Sequence, residues 1–358
     1  MVQSISARYI LQRINKTVFT RPEEIMQNIK RVNRFLERKV LQEDGDPKKE
    51  VLHPIDTLDG SSFLVDDAGE YWRMYDYIEG AKTYDTTDNP DMFYKVGRAF
   101  GKFEQRLIDY PADTLYEAIP DFHNTPKRFQ DFKIAVKENR AGRIDKEAEN
   151  YHELITAINM ILGHEADINV LEEAKKTGVL PLRVTHNDTK INNVMIDDAT
   201  GEPICVIDLD TVGPDTALVD YGDAIRSGAN QNGEGAKNIS GVEMNMDLFK
   251  AYTKGFLDET LVTANNSINN DRSKGLTQNE IALMYKAPRI LTLELAMRYL
   301  GDYLNGDVYF RLKPGKPKDY NFHKALVQLK LAQDMETKET EMKEFIDEYV
   351  MKKLKEKM

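Results

Sequence analysis

Between Leu182 and Val212 the chain reads LRVTHNDTKINNVMIDDATGEPICVIDLDTV, with five Asp, three Asn and one His among short β-branched runs. His186, Asp188 and Asn193 form an H-x-D-x-x-x-x-N pattern, and Asp208 follows fifteen residues after Asn193 at the end of a strand-like run. These types at this spacing suit phosphoryl transfer from ATP. That chemistry needs a carboxylate to orient or accept the proton of an attacking hydroxyl, and hard oxygen ligands to hold Mg2+ against the β- and γ-phosphates. Asp188 is the candidate base, and Asn193 and Asp208 are the candidate Mg2+ ligands. His186 is expected to brace the loop. Its neighbours are oxygen ligands rather than Cys or further His, which disfavours a metal-binding role.

The elements that must position these residues are legible in outline. LRVTH, NVMID and PICVIDLD read as strands, two of them joined through DDATGEP as a hairpin that brings Asp208 beside Asn193. Upstream, RYILQRI (Arg8–Ile14) reads as a strand. Glu23–Val40 reads as a helix, with Ile25, Ile29, Val32 and Leu36 on one face and Pro22 in its first turn. Ser61–Gly80 predicts two strands around DDAG, with Trp72 in the core. From Asp91 onward helical spacing dominates. Thr277 and Glu280 make a capping box, and Pro288 is expected to kink or interrupt the helix that follows. The fold class is therefore α+β in two lobes, residues 1–79 forming a small nucleotide-binding lobe and 80–358 a large, mostly helical one. The C-terminal KEFIDEYVMKKLKEKM predicts a solvated amphipathic helix.

Composition narrows the partners. A formal charge of -11 and pI near 5.2 argue against general affinity for nucleic acid or anionic membrane, both of which reward a basic face. The single thiol, Cys205, has no intramolecular partner, which fits a reducing, cytoplasmic setting. No apolar run has the length of a membrane span. The expected partners are ATP and a small molecule, with the protein monomeric.

The H-x-D-x-x-x-x-N loop followed by Asp208-Leu209-Asp210 resembles the catalytic loop of the aminoglycoside phosphotransferase and choline kinase families, within the protein-kinase-like superfamily. With YILQRIN, YWRMYDYIEG, FHNTPKRFQDFK, DYGDAIRSGAN and AMRYLGDYLNGDVYF it is similar, over nearly the whole chain from Arg8, to bacterial N-acetylhexosamine 1-kinases. The resemblance implies phosphorylation of the anomeric hydroxyl of GlcNAc or GalNAc, with the sugar against Asp188, Arg298 and Tyr309. Taken without the family, Arg298 reads equally as a surface residue and Tyr309 as a core one. The resemblance makes Tyr75–Glu79 the hinge over adenine, with Tyr75, Tyr77 and Ile78 at the nucleotide. It also implies that Asp220 accepts hydrogen bonds from the catalytic-loop backbone. Asp223 and Arg226 are expected either to pair on the helix surface or, for Asp223, to reach substrate.

Two departures stand out. Gln12 occupies the strand position where most of the superfamily carries a phosphate-binding Lys, with Arg13 pointing to the opposite face; the hexosamine kinases resemble this chain in having Gln there. The family's first strand and phosphate-covering turn, with a sugar-contacting His, would precede YILQ. The small lobe is therefore expected to be truncated and lid-less, with weak ATP binding and poor turnover. The alternatives are a kinase of another alcohol (aminoglycoside, choline, homoserine or methylthioribose) or a lid-less inactive binding protein.

Overall fold

The computed structural model describes residues 7–264, 267–268 and 271–356. The stretch 1–6, expected to supply the end of a preceding strand, lies outside these, as do Lys357 and Met358. The small lobe is a three-stranded antiparallel sheet in the order β1 (Tyr9–Arg13), β3 (Tyr71–Asp76), β2 (Leu64–Val65), with α1 (Pro22–Gln42) on one face. Pro22 sits in the first turn of α1 with Glu23 and Glu24, where the missing N–H costs nothing and the acids face the positive end of the helix. Ile25, Met26, Ile29, Val32, Leu36 and Val40 are buried beneath the sheet. A short α2 (Pro47–Glu50) connects α1 to the sheet.

Register decides what faces the cleft. Gln12 pairs with Arg73 and Ile10 with Tyr75, so these side chains share the α1 face, and Arg73 and Tyr75 are buried there. The other face carries Tyr9, Leu11, Trp72 and Leu64; Leu11 and Leu64 are 64% and 58% exposed. Trp72 corrects the expectation of a core residue. It is half-buried on this outer face, its indole donating to Asp66 at 2.8 Å. Alternation along a strand defines two faces but does not say which is covered.

The large lobe begins with β4 (Ala81–Lys82) and α3 (Pro90–Arg106), followed by α4 (Thr125–Glu138), α5 (Tyr151–Gly163), α6 (Glu165–Ile168) and α7 (Val170–Lys176). Then come β5 (Arg183–Thr185), the β6–β7 hairpin (Val194–Asp197 and Pro203–Val206) and β8 (Gly213–Asp215), which pairs with β5. Helices α8 (Ala217–Gly228), α9 (Met246–Thr260), α10 (Gln278–Leu283), α11 (Ala287–Asn305), α12 (Tyr320–Thr337) and α13 (Glu339–Glu356) complete it.

The Thr277–Glu280 capping box is present, and Pro288 does interrupt the helix: a 3-10 turn separates α10 from α11, where Pro288 occupies the first turn. Helices α3 and α9 meet so closely at Gly97 and Gly255 that a methyl on either would collide with the other's backbone, and α3 carries Phe100 and Phe103 against the His186 ring. The C-terminal helix is more than a solvated face, since Met342, Ile346 and Val350 are buried.

The small-lobe core does not stop at residue 79. One apolar cluster runs from Ile25 and Met26 on α1 through Phe103 to Val184, Cys205, Leu209 and Val212. Asn28, fully buried on α1, donates to the carbonyls of Tyr116 (2.7 Å) and Val212 (3.0 Å) and accepts from the Tyr116 N–H. The helix is thereby fixed to the segment just after Asp208. Among the described residues no helix is long and apolar enough to cross a membrane.

Candidate active site

The loop from His186 to Asn193 leaves β5 and closes into a 3-10 turn before β6. Its shape is set by buried carboxylates on α8. Asp220 accepts from the backbone N–H groups of His186 and Asn187, both at 2.7 Å, and Asp223 accepts from that of Thr189 at 3.1 Å. His186 is buried, directs Nε2 to the Ile207 carbonyl at 2.8 Å and lies edge-on to Phe100 and Phe103. Its ring holds the loop to the strand leading to Asp208, and it faces no metal ligand set.

Burial pushes the Asp220 carboxyl up to about 6. Replacing Asp220 by Ala would strand two buried backbone donors, each costing about 1–3 kcal/mol. The expected result is a stability loss of about 2–5 kcal/mol in urea unfolding, and a loss under 0.5 kcal/mol would contradict this role.

The loop brings the sequence-derived residues together. The Asn193 amide nitrogen donates to the Asp188 carbonyl (2.8 Å) and carboxylate (3.3 Å), which leaves the amide oxygen as the atom available to a cation. The Ile207 N–H bonds the Asn193 carbonyl at 2.9 Å, so Asp208 is carried beside Asn193. Asn187 and Asp208, flanking the two reactive positions, both adopt left-handed backbone (φ 65° and 60°), a conformation that Asn and Asp tolerate better than branched residues.

The Asp208 carboxyl is raised above its usual range by burial and by the charges of Asp210 and Asp188. A divalent cation held by the Asp208 carboxylate and the Asn193 amide oxygen would relieve that repulsion, so the oxygen donor set fits Mg2+.

Two cations near these acids carry no sequence signature of their own. Lys190 reaches Asp188 at 2.6 Å; burial opposes its charge, but Asp188 and Asp223 outweigh burial and hold its pKa above the usual lysine value. Arg73, only 6% exposed, forms an ion pair with Asp210, and its Nε donates to Gln12 Oε1 at 3.2 Å. Gln12 therefore orients a guanidinium supplied by the neighbouring strand, which the ion pair with Asp210 holds close to the Asp208 charge. Arg13 points to the other face, toward Glu70 at 3.8 Å. Of the residues expected at the hinge, Tyr75 and Ile78 are buried, Tyr75 against Arg73, while the ring of half-buried Tyr77 lies under Arg8. Asp198 donates its N–H to the Gly80 carbonyl, tying the hinge to the β6–β7 turn.

On the other side of Asp188 lies a cavity of about 230 Å3 whose wall includes Asp188, Lys190, Asp223, Glu234, Arg298 and Tyr309. Arg298 and Tyr309 converge, guanidinium to hydroxyl 3.3 Å, and the guanidinium is also close to the rings of Phe122 and Phe310. Asp302 fixes this corner by accepting from the Tyr309 and Phe310 N–H groups, both at 2.8 Å. Asn193 and Asp208 do not line the cavity. The Asp223–Arg226 pair is buried, which corrects the expected surface pair: Arg226 bridges Asp223 and Glu234, each at 2.6 Å. His123 contacts Glu294 (3.0 Å) and the Asn187 carbonyl (3.0 Å). Burial opposes a charge on His123, and Glu294 restores it, raising the pKa above the usual value. His123 and Glu294 escaped the sequence analysis because they meet across 171 residues, and Glu234 because it reaches Arg226 from the irregular segment beyond α8.

A small strand layer fixed to a mostly helical lobe, with an Asp, an Asn and a second Asp converging between them, defines a kinase-like phosphotransferase fold. Residues 4–241 match the phosphotransferase enzyme family (APH), and the chain belongs to that family. Solved structures with this fold include an aminoglycoside phosphotransferase from Alicyclobacillus acidocaldarius subsp. acidocaldarius DSM 446, at 12% identity and TM-score 0.61 over 96% of this chain and 89% of that one. A microcompartment-associated aminopropanol kinase matches at 15% identity and TM-score 0.56, covering 95% and 89% of the two chains. An amicoumacin kinase in complex with AMP-PNP, Ca2+ and Ami matches at 12% identity and TM-score 0.51, covering 96% and 83%.

Proposed function

We propose that this protein is an ATP- and Mg2+-dependent kinase of the cytoplasm that phosphorylates the anomeric hydroxyl of N-acetylhexosamines such as GlcNAc and GalNAc. The observation that carries this reading is the charge balance of the acceptor cavity. Each of its carboxylates is answered by a cation: Asp188 by Lys190, Asp223 and Glu234 by Arg226, Glu294 by His123. A cavity whose carboxylates are already paired offers little to a polyamine and more to a neutral polyol, which needs donors and acceptors in alternation. Arg298 supplies a fork of donors for a ring hydroxyl or the acetamido carbonyl, and Tyr309 supplies a flat apolar face with a polar tip.

In this reading Asp188 accepts the proton of the acceptor hydroxyl as its oxygen bonds to the γ-phosphorus and the bond from that phosphorus to the bridging oxygen of ADP breaks. Lys190, paired with Asp188, places positive charge where the transferred group gains negative charge. Arg73 and Asp210 face the nucleotide side. Asn193 and Asp208 would hold Mg2+, which would supply charge neutralisation to the nucleotide phosphates. Tyr75, Tyr77, Ile78 and Gln12 bound the nucleotide.

A thermal-shift panel with Mg·ADP tests the acceptor. GlcNAc and GalNAc are expected to raise the melting temperature, while kanamycin, choline and homoserine leave it unchanged. Stabilisation by the amines alone would replace the sugar with an amino alcohol.

A further inference from the structure

Arg298 belongs to two cavities. Besides the acceptor cavity, it lines a second one of about 250 Å3 on its outer side, together with Arg128, Asp131, Met297, Asp302 and Asn305. Every other buried or half-buried arginine among the described residues, from Arg73 to Arg289, sits at salt-bridge distance from a carboxylate. Arg128 and Arg298 do not. Arg128 has only the neutral carbonyl of Phe122, reached by Nε and Nη2 at a long 3.3 Å, and Arg298 has only the Tyr309 hydroxyl.

The acids nearby are committed elsewhere. Asp131 is taken by Lys127, Asp302 by two backbone N–H groups and Glu294 by His123 and Thr125. Burial and the adjacent Arg298 hold the Arg128 pKa below the usual arginine value. Two half-buried guanidiniums in one cavity, neither within salt-bridge distance of a carboxylate, carry a desolvation cost that Glu294 and Asp131 only partly offset and that an oxyanion would relieve, and their planar forks match the geometry of phosphate or carboxylate.

We propose that the cavity between Arg128 and Arg298 is an oxyanion-binding site, separate from the nucleotide phosphates and joined to the acceptor cavity through Arg298. The anion is either free, such as inorganic phosphate, or an acidic group carried by the molecule in the acceptor cavity. The site shares Arg298 with the acceptor reading, but it does not depend on the acceptor being an N-acetylhexosamine, because Arg128 and Arg298 lack salt-bridge partners whatever alcohol is phosphorylated.

The test is calorimetric titration of inorganic sulfate into the full chain saturated with Mg·ADP, at constant ionic strength. Wild type is expected to bind sulfate, and Arg128→Gln to weaken binding at least tenfold. Arg128→Lys keeps the charge but loses the fork, and should fall between them. Asn305→Glu, which leaves both arginines in place and adds a competing carboxylate at the cavity wall, should also weaken sulfate at least tenfold, so the result does not rest on Arg128 variants folding. Glucuronate and glucose distinguish the sources. Glucuronate binding much more tightly than both glucose and sulfate marks an acidic group on the acceptor, whereas equal affinity for sulfate and glucuronate marks a free anion. Wild-type sulfate binding that is absent, or unaltered in both Arg128→Gln and Asn305→Glu, overturns the proposal. Failure of the sugar panel with retained sulfate binding would remove the acceptor reading and leave this site standing.

Discussion

Asp188→Asn is expected to lower kcat by roughly a hundred- to ten-thousand-fold, the range lost when a positioned general base is removed, while ATP affinity stays within about twofold. The asymmetry follows from the geometry. Asp188 lines the acceptor cavity, whereas Asn193 and Asp208 do not. The Asn side chain preserves shape and can still accept from Asn193, so the loop should keep its fold. What disappears is the anionic acceptor for the substrate proton, together with the partner of Lys190. Single-turnover kinetics with Mg·ATP and the acceptor identified by the panel measure the effect. A variant retaining more than a tenth of wild-type turnover would remove Asp188 from the chemistry.

Asp208→Ala is expected to act on the other substrate. Deleting this carboxylate would take one of the two proposed protein ligands from the cation, so Mg2+ should no longer tighten nucleotide binding, and affinity for Mg·ATP should fall at least tenfold while metal-free binding changes little. The wild-type protein should show a related pH dependence. Burial and the neighbouring charges of Asp210 and Asp188 raise the Asp208 carboxyl, so protons compete for it at higher pH than for an ordinary aspartate. Mg·ATP affinity should therefore weaken as pH falls toward the Asp208 titration, and this slope should vanish in the variant. Titration of a fluorescent ATP analogue with and without Mg2+ gives both readouts. Equal Mg2+ enhancement in wild type and variant would place the metal elsewhere.

Local pattern made the catalytic loop legible, because His186, Asp188 and Asn193 are bound to one another over a few residues and flanked by short β runs. Resemblance, not periodicity, brought out Arg298 and Tyr309, which are exposed enough that spacing alone gave them no direction. The residues that went unread are of another kind. Arg73 meets Asp210 and His123 meets Glu294 across chain separations that no window of sequence contains, and Arg226 meets Glu234 through a turn after α8 whose path helical spacing does not give. Arg128 was unreadable for the opposite reason, since its distinguishing feature is the lack of a carboxylate partner. Trp72 was misplaced because strand alternation does not reveal which face of a sheet is covered, and the Asp223–Arg226 pair because helical spacing does not reveal what packs over it.

The left-handed backbone at Asn187 and Asp208 limits how such a protein can be remodelled. Both positions admit few replacements without strain, and each is tied through its neighbours to α8 or β6, so the phosphoryl-transfer machinery is a poor place to introduce variety. The α11 side of the acceptor wall and the 307–310 turn, by contrast, are anchored through Asp302 away from the loop, whereas the segment at Phe122 is tied to it by His123 on the Asn187 carbonyl. Engineering toward a new alcohol should therefore vary that wall and leave the loop untouched, treating the enzyme as a fixed motor with an exchangeable chuck.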